Sequence, residues 1–342
     1  MSNIKLGVLG LGRMGLIHCG NIKSTPGLVL AAGSSRVEEL TRVARERFNI
    51  QVYKSHDELL NDPEINWVVI ATTTEKHKKW ALKAIAAGKE LIIEKPVALS
   101  FADTEEIFYA ADSKGVRVTV HNNRRWDQDF LLVRKVLKES ILGDVYRIES
   151  RYTDFSASWG AWGYQGSENP WRLKKIYGGG LLNDWGPHLF DQLLVIADSG
   201  VAHLVARLYG KIWSGEVDDH FWAEVVFENG LSARVEASNN HRIPQSRWCI
   251  VGSRGTLEVA GGDPADWNSA LVRWEIDGST EELRYDIPQP ELSSGFYPEF
   301  AAAVINSKPL PVLPEHVKRV MKIIDAVRAS ENTMQVIPLG EE

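Results

Sequence analysis

The chain has two cysteines in 342 residues, Cys19 and Cys249. That is too few for a disulfide framework or a cysteine metal site, so a reducing, cytoplasmic setting is expected. No apolar run approaches the length of a membrane span. A strand-like run begins at Ile4, which leaves no room for a signal peptide in the sequence as given. Excess positive charge is missing too: the formal net charge is −6, which argues against nucleic acid or an anionic membrane as partner. The histidines show no HExxH spacing and the carboxylates no ligand cluster, so no metal is expected. Gly88-Lys89 lacks the upstream Gly and the following Ser or Thr of a phosphate loop. Repeats and low-complexity segments are absent. What remains is an ordinary globular composition, long enough for two cores. One count stands out: Trp, at 12, outnumbers both Phe (10) and Tyr (9).

The apolar run Ile4 to Leu9 stops at Gly10-Leu11-Gly12-Arg13-Met14-Gly15, and a helical stretch follows to about Ser24. This is GxGxxG between a strand and a helix. Gly10 suits a tight turn, Gly12 a close backbone approach to a pyrophosphate, and Gly15 close helix–strand packing. The helix N-terminus, with Arg13 and Met14, offers free backbone donors to phosphates. A second strand, Leu28 to Ala32, ends in Gly33-Ser34-Ser35-Arg36, where a dinucleotide fold reads the ribose. NAD sites carry an acidic residue there and none precedes Glu38, so Ser34, Ser35 and Arg36 lean toward the 2′-phosphate of NADP over NAD. The competing reading makes Arg36 the start of a solvated helix running to Phe48.

Helices at His56 to Leu60, Lys76 to Ala87 and Ser100 to Lys114 alternate with strands at Trp67 to Ala71, Glu90 to Ile93 and Arg117 to Val120. That alternation predicts a doubly wound parallel sheet, the α/β Rossmann arrangement. Ligands bind beyond the carboxyl ends of such strands. Thr72, Thr73 and His77, then Glu94-Lys95-Pro96, then Asn123 and Arg124 each follow a strand and gather at that edge. Pro96 extends the backbone of Lys95 and aims its side chain over the crevice, with Glu94 expected to fix it by charge.

The sequence changes character between Asn122 and Asp127. Residues 1–122 are read as an NAD(P)-binding Rossmann domain, and 123–342 as an α+β domain for substrate binding and oligomerisation. After a helix at Phe130 to Glu139, the second region is a succession of strand-like runs from Val145 to Ile287, with a hairpin turn at Asn229-Gly230. Short turns between consecutive strands predict a large open, mainly antiparallel sheet. Helices return at Pro298 to Ile305 and Pro314 to Ala329. Trp213, Trp222, Trp248 and Trp274 lie in or near this sheet, and a face built of them needs covering by helices or by a second subunit. The second is favoured, as a homodimer or homotetramer.

Gly178-Gly179-Gly180 lets the backbone approach something bulky, and Pro187 suits a first helical position, so a helix is expected to start near it. If that helix takes in Asp184, then Asp184, His188 and Asp191 or Gln192 share one face. The competing reading is a capped helix whose His and Asp are satisfied locally. Trp159, Trp162, Trp171 and Trp185 flank this stretch. Their indole faces suit the apolar faces of sugar rings, with core packing the alternative. Arg172 adds a donor fork for hydroxyls or a carboxylate.

GxGxxG, Ala71-Thr72-Thr73 with His77, Ala87-Gly88-Lys89 leading to Glu94-Lys95-Pro96, Asn123-Arg124-Arg125, and Gly178-Gly179-Gly180 with Asp184 and His188 follow in order. Together, over residues 4 to about 330, they resemble the Gfo/Idh/MocA family, the relatives of glucose-fructose oxidoreductase and inositol dehydrogenase. The resemblance implies a catalytic set of Lys95, Asp184 and His188, and oligomers through the second sheet. Members differ in whether a lysine or a histidine carries the proton. The expected activity is hydride transfer between NAD(P) and a CH–OH group of a sugar or cyclitol. Two alternatives remain: glycoside cleavage or epimerisation with a retained cofactor, and a non-catalytic NADP sensor.

Overall fold

The computed structural model describes residues 4–155, 171–288, 295–333 and 335–340. Strands β1 (Ile4–Leu9), β2 (Leu28–Ser34) and β3 (Gln51–Tyr53) alternate with helices α1 (Arg13–Ser24), α2 (Glu38–Phe48) and α3 (His56–Leu60). The alternation continues through β4 (Trp67–Ile70), α4 (His77–Ala86), β5 (Glu90–Ile93), α5 (Phe101–Lys114) and β6 (Val118–Val120). The six strands form a parallel sheet in the order β3-β2-β1-β4-β5-β6. Every residue of β4 is buried, because helices cover both faces of a parallel sheet and leave no position for a solvated side chain. Ser100 caps α5 by accepting the N–H of Asp103, a contact worth about 1 kcal/mol. The strand β3, three residues long, was too short to show a period.

A helix α6 (Gln128–Lys138) leads into β7 (Val145–Thr153), then α7 (Leu181–Ala197), β8 (Val201–Tyr209), β9 (His220–Phe227) and β10 (Ser232–Ser238). Next come β11 (Trp248–Gly252), β12 (Gly255–Val259), β13 (Ser269–Ile276) and β14 (Ser279–Asp286). The chain ends in α8 (Phe296–Ile305), α9 (Pro314–Thr333) and β15 (Ile337–Pro338), which closes the order β14-β13-β12-β11-β7-β10-β9-β8-β15. Neighbours are antiparallel except β7 and β10, which run parallel because the chain leaves the sheet through α7 between them.

The expectation that four tryptophans share one exposed face of this sheet is corrected by the strand alternation. Trp248 is fully buried on the face under α7, Trp274 packs on that same core, and Trp213 sits in a connection against Phe155. Of the four, Trp222 alone occupies the other face, beneath the guanidinium of Arg234. That face is a checkerboard of charge. Arg147 pairs with Glu224 at 2.9 Å, and Arg234 with Glu224 and Glu236 at 3.3 Å each. The cause is cross-strand register: Arg234 stands opposite Glu224 on β9 and Glu149 on β7.

The last two long helices also reach the first sheet, although α9 packs on β8, where Ser330 accepts the Ala206 N–H. Phe300 of α8 meets Trp67 of β4 edge-on at 4.7 Å, the Thr119 hydroxyl of β6 donates to the carbonyl of Val312, and Arg328 of α9 donates to the carbonyl of Leu99. The first sheet is thus covered partly by chain from the far end of the sequence.

Candidate active site

A cavity of about 970 Å³ runs along the carboxyl edge of the first sheet and under the head of α7. At one end lies the turn after β1. Gly10 has φ +90°, and a Cβ there would stand 2.7 Å from the carbonyl oxygen of Ala71. Gly15 is closer still, its Cβ position 1.9 Å from the carbonyl of Gly10, so it serves helix–strand contact and not the cavity wall. Among the described residues, nothing lies within 4 Å of a Cβ at Gly12 and no side chain caps α1. The first turn of α1, with Arg13 and Met14, thus faces open space beside Gly12 that a Cβ would enter. These residues fit the pyrophosphate of a dinucleotide.

The end of β2 divides its three expected ligands. Ser34 is buried and its hydroxyl bonds His56 Nδ1 at 2.6 Å, away from the cavity. Ser35 lines the cavity, and its hydroxyl accepts the N–H of Val37. Arg36 lines it with an exposed side chain. Sequence reasoning missed the opposite wall of this end, where His56, Lys76, Lys79 and Trp80 also line the cavity. The His56 ring meets Trp80 edge-on at 4.7 Å, and Lys79 Nζ lies 5.3 Å from the Trp80 centroid. Burial first, then Arg36, pushes His56 down to about 4, so the ring is neutral beside these cations. No local pattern marks this wall, because it is assembled from α3 and the start of α4.

In the middle of the edge, Thr72 and Thr73 line the cavity. His77 lies 2.8 Å from the Pro96 carbonyl and 3.1 Å from that of Thr72 through its two nitrogens. Burial holds it below its ordinary value despite both carbonyls, and a neutral ring donates to one of them only. It ties two loops together while presenting its flank to the cavity.

Glu94 does not hold the Lys95 ammonium, as its position beside that residue suggested. Its carboxylate is held by His18 and His121 at 2.8 Å each. Lys95 Nζ crosses the cavity instead and donates to both the carboxylate Oδ1 (2.8 Å) and the main-chain carbonyl (2.7 Å) of Asp184. The other Asp184 oxygen, Oδ2, accepts from Arg172 Nε at 3.3 Å, and the Arg172 guanidinium lies over Trp171. Asn123 and Arg124 follow β6 into the same wall; Arg124 pairs with Asp127 at 2.7 Å and stacks 4.3 Å over Trp185. Tyr152 stacks on that indole at 3.8 Å, giving the wall an aromatic layer.

The helix carrying Asp184 starts at Leu181, six residues before Pro187, which lies inside it. Its start is set from outside: the Leu181 N–H reaches the main-chain oxygen of Asp218, and the Leu182 N–H the Asp218 carboxylate at 2.6 Å. Gly180, at φ +105°, makes the approach possible, since a Cβ there would stand 2.2 Å from Asp218 Oδ1. These contacts and the helical period put Asp184 and His188 on the cavity side. Asp191 turns away into a two-bond pair with Arg125 at 2.7 Å, and Gln192 donates to the Arg124 carbonyl. His188 is buried, and burial followed by Lys95 and Arg124 holds it well below its ordinary value. Its Nδ1 is buried without a partner among the described residues. Trp159 and Trp162 lie outside the described residues.

The fold also gathers histidine and carboxylate groups that sequence spacing hid. His18, Glu94 and His121 form one, and His220, Glu236 and His241 on the second sheet form another. The Glu94 carboxylate is bonded to both of its imidazoles, and Glu236 also pairs with Arg151 and Arg234.

Comparison with known proteins agrees with the two-part fold. Residues 4–122 match the model of an oxidoreductase family with an NAD-binding Rossmann fold, and residues 130–258 match the Gfo/Idh/MocA C-terminal domain. A scyllo-inositol 2-dehydrogenase (NADP(+)) of Bacillus subtilis is 27% identical over 99% of this chain and 97% of its own. A myo-inositol 2-dehydrogenase of Thermotoga maritima is 30% identical over 43% of this chain and 45% of its own. A solved NAD-binding protein from Listeria innocua superposes with a TM-score of 0.86 at 30% identity, covering 98% of this chain and 97% of that one. With both of its domains matched, the chain belongs to the Gfo/Idh/MocA family of oxidoreductases.

Proposed function

We propose that the protein is an NAD(P)-dependent dehydrogenase, NADP preferred, that oxidises a CH–OH group of a sugar or cyclitol or reduces the matching ketone. The observation that carries this reading is the Lys95–Asp184 contact, made in the same cavity as the glycine turn and beside His188. A nicotinamide supplies the hydride acceptor or donor; everything else is asked of the chain. Gly10, Gly12, Arg13 and Met14 hold the pyrophosphate, and Thr72, Thr73 and Asn123 the middle of the cofactor. Arg36, aided by Lys76 and Lys79 on the facing wall, takes the 2′-phosphate.

At the other end, Lys95, positioned by Asp184, donates to the reacting oxygen and polarises it, while Arg172 and Arg124 position ring hydroxyls. His188, kept neutral by burial and by two nearby cations, takes the hydroxyl proton on a free ring nitrogen. Trp171, Trp185 and Tyr152 support a ring-shaped substrate by apolar contact. The inositol dehydrogenases among the relatives favour a cyclitol or a similar polyol. The half-buried charge checkerboard of the second sheet suits a subunit contact, a homodimer or homotetramer, and the two free cysteines suit a cytoplasmic protein.

The test is a screen for reduction of added NAD and NADP, followed by near-ultraviolet absorbance, against monosaccharides, inositols and simple glycosides. Reduction with one substrate group supports the reading. Cleavage of a glycoside without net reduction of added cofactor replaces it with the retained-cofactor reading. Lys95→Ala should lower turnover by about 10²-fold or more while dinucleotide still quenches tryptophan fluorescence. Normal turnover in that variant would remove Lys95 from the chemistry.

A further inference from the structure

Directly after β5 stands a buried carboxylate that the proposed chemistry does not use. Glu94 is 6% exposed and forms part of the cavity wall. Its Oε1 accepts from His18 Nε2 and His121 Nδ1 at 2.8 Å each, and its Oε2 accepts the main-chain N–H of Lys95 at 3.1 Å. Burial alone would raise its pKa; His121 and His18 outweigh burial and hold the carboxyl well below the usual range. His18 is itself buried, with Nδ1 2.6 Å from the Tyr297 hydroxyl of α8. Burial, reinforced by His121, keeps His18 below its ordinary value, so the neutral ring donates through Nε2 and accepts from Tyr297. The nearest lysine in sequence, Lys95, has its ammonium turned to Asp184. Three N–H donors therefore fix an anion in the floor of the cavity.

We infer that Glu94 is a fixed counter-charge to the oxidised nicotinamide, so that the site favours NAD(P)⁺ over NAD(P)H. The inference rests on the dinucleotide reading of the cavity. In the strand order β3-β2-β1-β4-β5-β6, one mononucleotide half lies over β1 to β3 and the other over β4 to β6. Arg36 follows β2 and marks the adenosine half; Glu94 follows β5 and so belongs to the nicotinamide half. The oxidised ring carries one positive charge. Accepting a hydride, one proton with two electrons, leaves it neutral. A nearby anion in a poorly solvated site stabilises only the charged form. The rival explanation is a brace: the same hydrogen bonds also hold the loop that carries Lys95.

Glu94→Gln keeps the size of the side chain and an acceptor for the Lys95 N–H but removes the charge. Tyr297→Phe removes the outer hydrogen bond and keeps the charge. NADP⁺ and NADPH titrations of the intact protein, read by tryptophan quenching, give the ratio of the two dissociation constants for each variant. Glu94→Gln should raise the oxidised-to-reduced ratio by about tenfold, equal to a rise of about 30 mV in the potential of the bound couple. Tyr297→Phe should leave the ratio unchanged. An unchanged ratio in Glu94→Gln, or an equal change in both variants, overturns the inference in favour of the brace. The native protein supplies a measurement that needs no variant to fold: binding NADPH more than about tenfold tighter than NADP⁺ would also overturn it. If neither form quenches the native protein, the dinucleotide reading itself falls.

Discussion

Replacing Asp218 with Asn tests how the head of α7, which carries Asp184 and His188, is held in place. The Asp218 carboxylate accepts the Leu182 N–H at 2.6 Å and lies against Gly180. Burial pushes its carboxyl up to about 7; Asp219 acts in the same direction, while the Leu182 N–H and Arg328 pull it back. In the unfolded chain the group titrates near ~3.9. The folded state therefore holds the proton more tightly. The associated stability is complete below ~3.9 and is lost as pH rises through about 7. Three pH units correspond to ~4 kcal/mol, which partial solvent contact reduces to roughly 2 kcal/mol. Asn cannot ionise, yet its carbonyl can still accept from Leu182. The melting temperature of Asp218→Asn relative to the native protein should therefore climb between pH ~5 and ~7 by about 3–4 °C and then level off. A constant difference, or an Asn variant that loses ground as pH rises, would mean that the helix N-terminus outweighs burial and that the carboxylate is a stabilising cap.

Three other substitutions read separate parts of the cavity. Arg36→Asp should raise KM for NADP at least about tenfold more than KM for NAD, since it trades a phosphate partner for a repelling charge; an unchanged ratio would remove Arg36 from cofactor choice. His188→Ala should cut kcat by about 10²–10⁴-fold with little change in melting temperature, whereas a loss of stability alone would mark a structural residue. Because burial, Lys95 and Arg124 hold His188 well below its ordinary value, the native kcat/KM profile should stay flat through pH ~6.5, and a fall centred there would contradict a neutral imidazole. Gly12→Ala should fold at the native melting temperature and bind dinucleotide about tenfold more weakly, while Gly10→Ala, at φ +90° and 2.7 Å from the Ala71 oxygen, should lose about 1–3 kcal/mol of stability; the reverse pattern would refute the assignment of open space to Gly12.

The first sheet was legible in sequence because its period is local: apolar strands, glycine turns and helices alternate, and Glu90–Ile93 was located to the residue. The second sheet was legible as antiparallel strands, but the parallel pairing of β7 with β10 depends on a crossover through α7 that no turn signal records. Pro187 misplaced the start of α7. A proline at the first position is a statistical preference, and here Asp218, more than thirty residues downstream, supplied the partner that set the start instead. Lys95, Asp184 and His188 were named from motifs with Asp184 expected to orient one of the other two or bind a hydroxyl, and it is the fold that pairs it with Lys95. Glu94 looked like the partner of Lys95 because the two are adjacent, but His18 and His121, distant in sequence, take the Glu94 carboxylate while Lys95 reaches Asp184. The wall of His56, Lys76, Lys79 and Trp80 gave no signal, since it exists only once α3 and α4 have docked.

The return of α8 and α9 to the first sheet changes what counts as a module. Residues 1–122 carry the glycine turn and read as a portable cofactor domain. Trp67, Thr119 and His18 nevertheless take their cover from Phe300, Val312 and Tyr297, all beyond residue 295. Cut out alone, that domain would expose an indole and unpaired polar groups on one flank. A chimera that transplants this nucleotide-binding half into another scaffold has to carry two stretches of chain, the first 122 residues and the closing pair of helices, and its design unit is discontinuous.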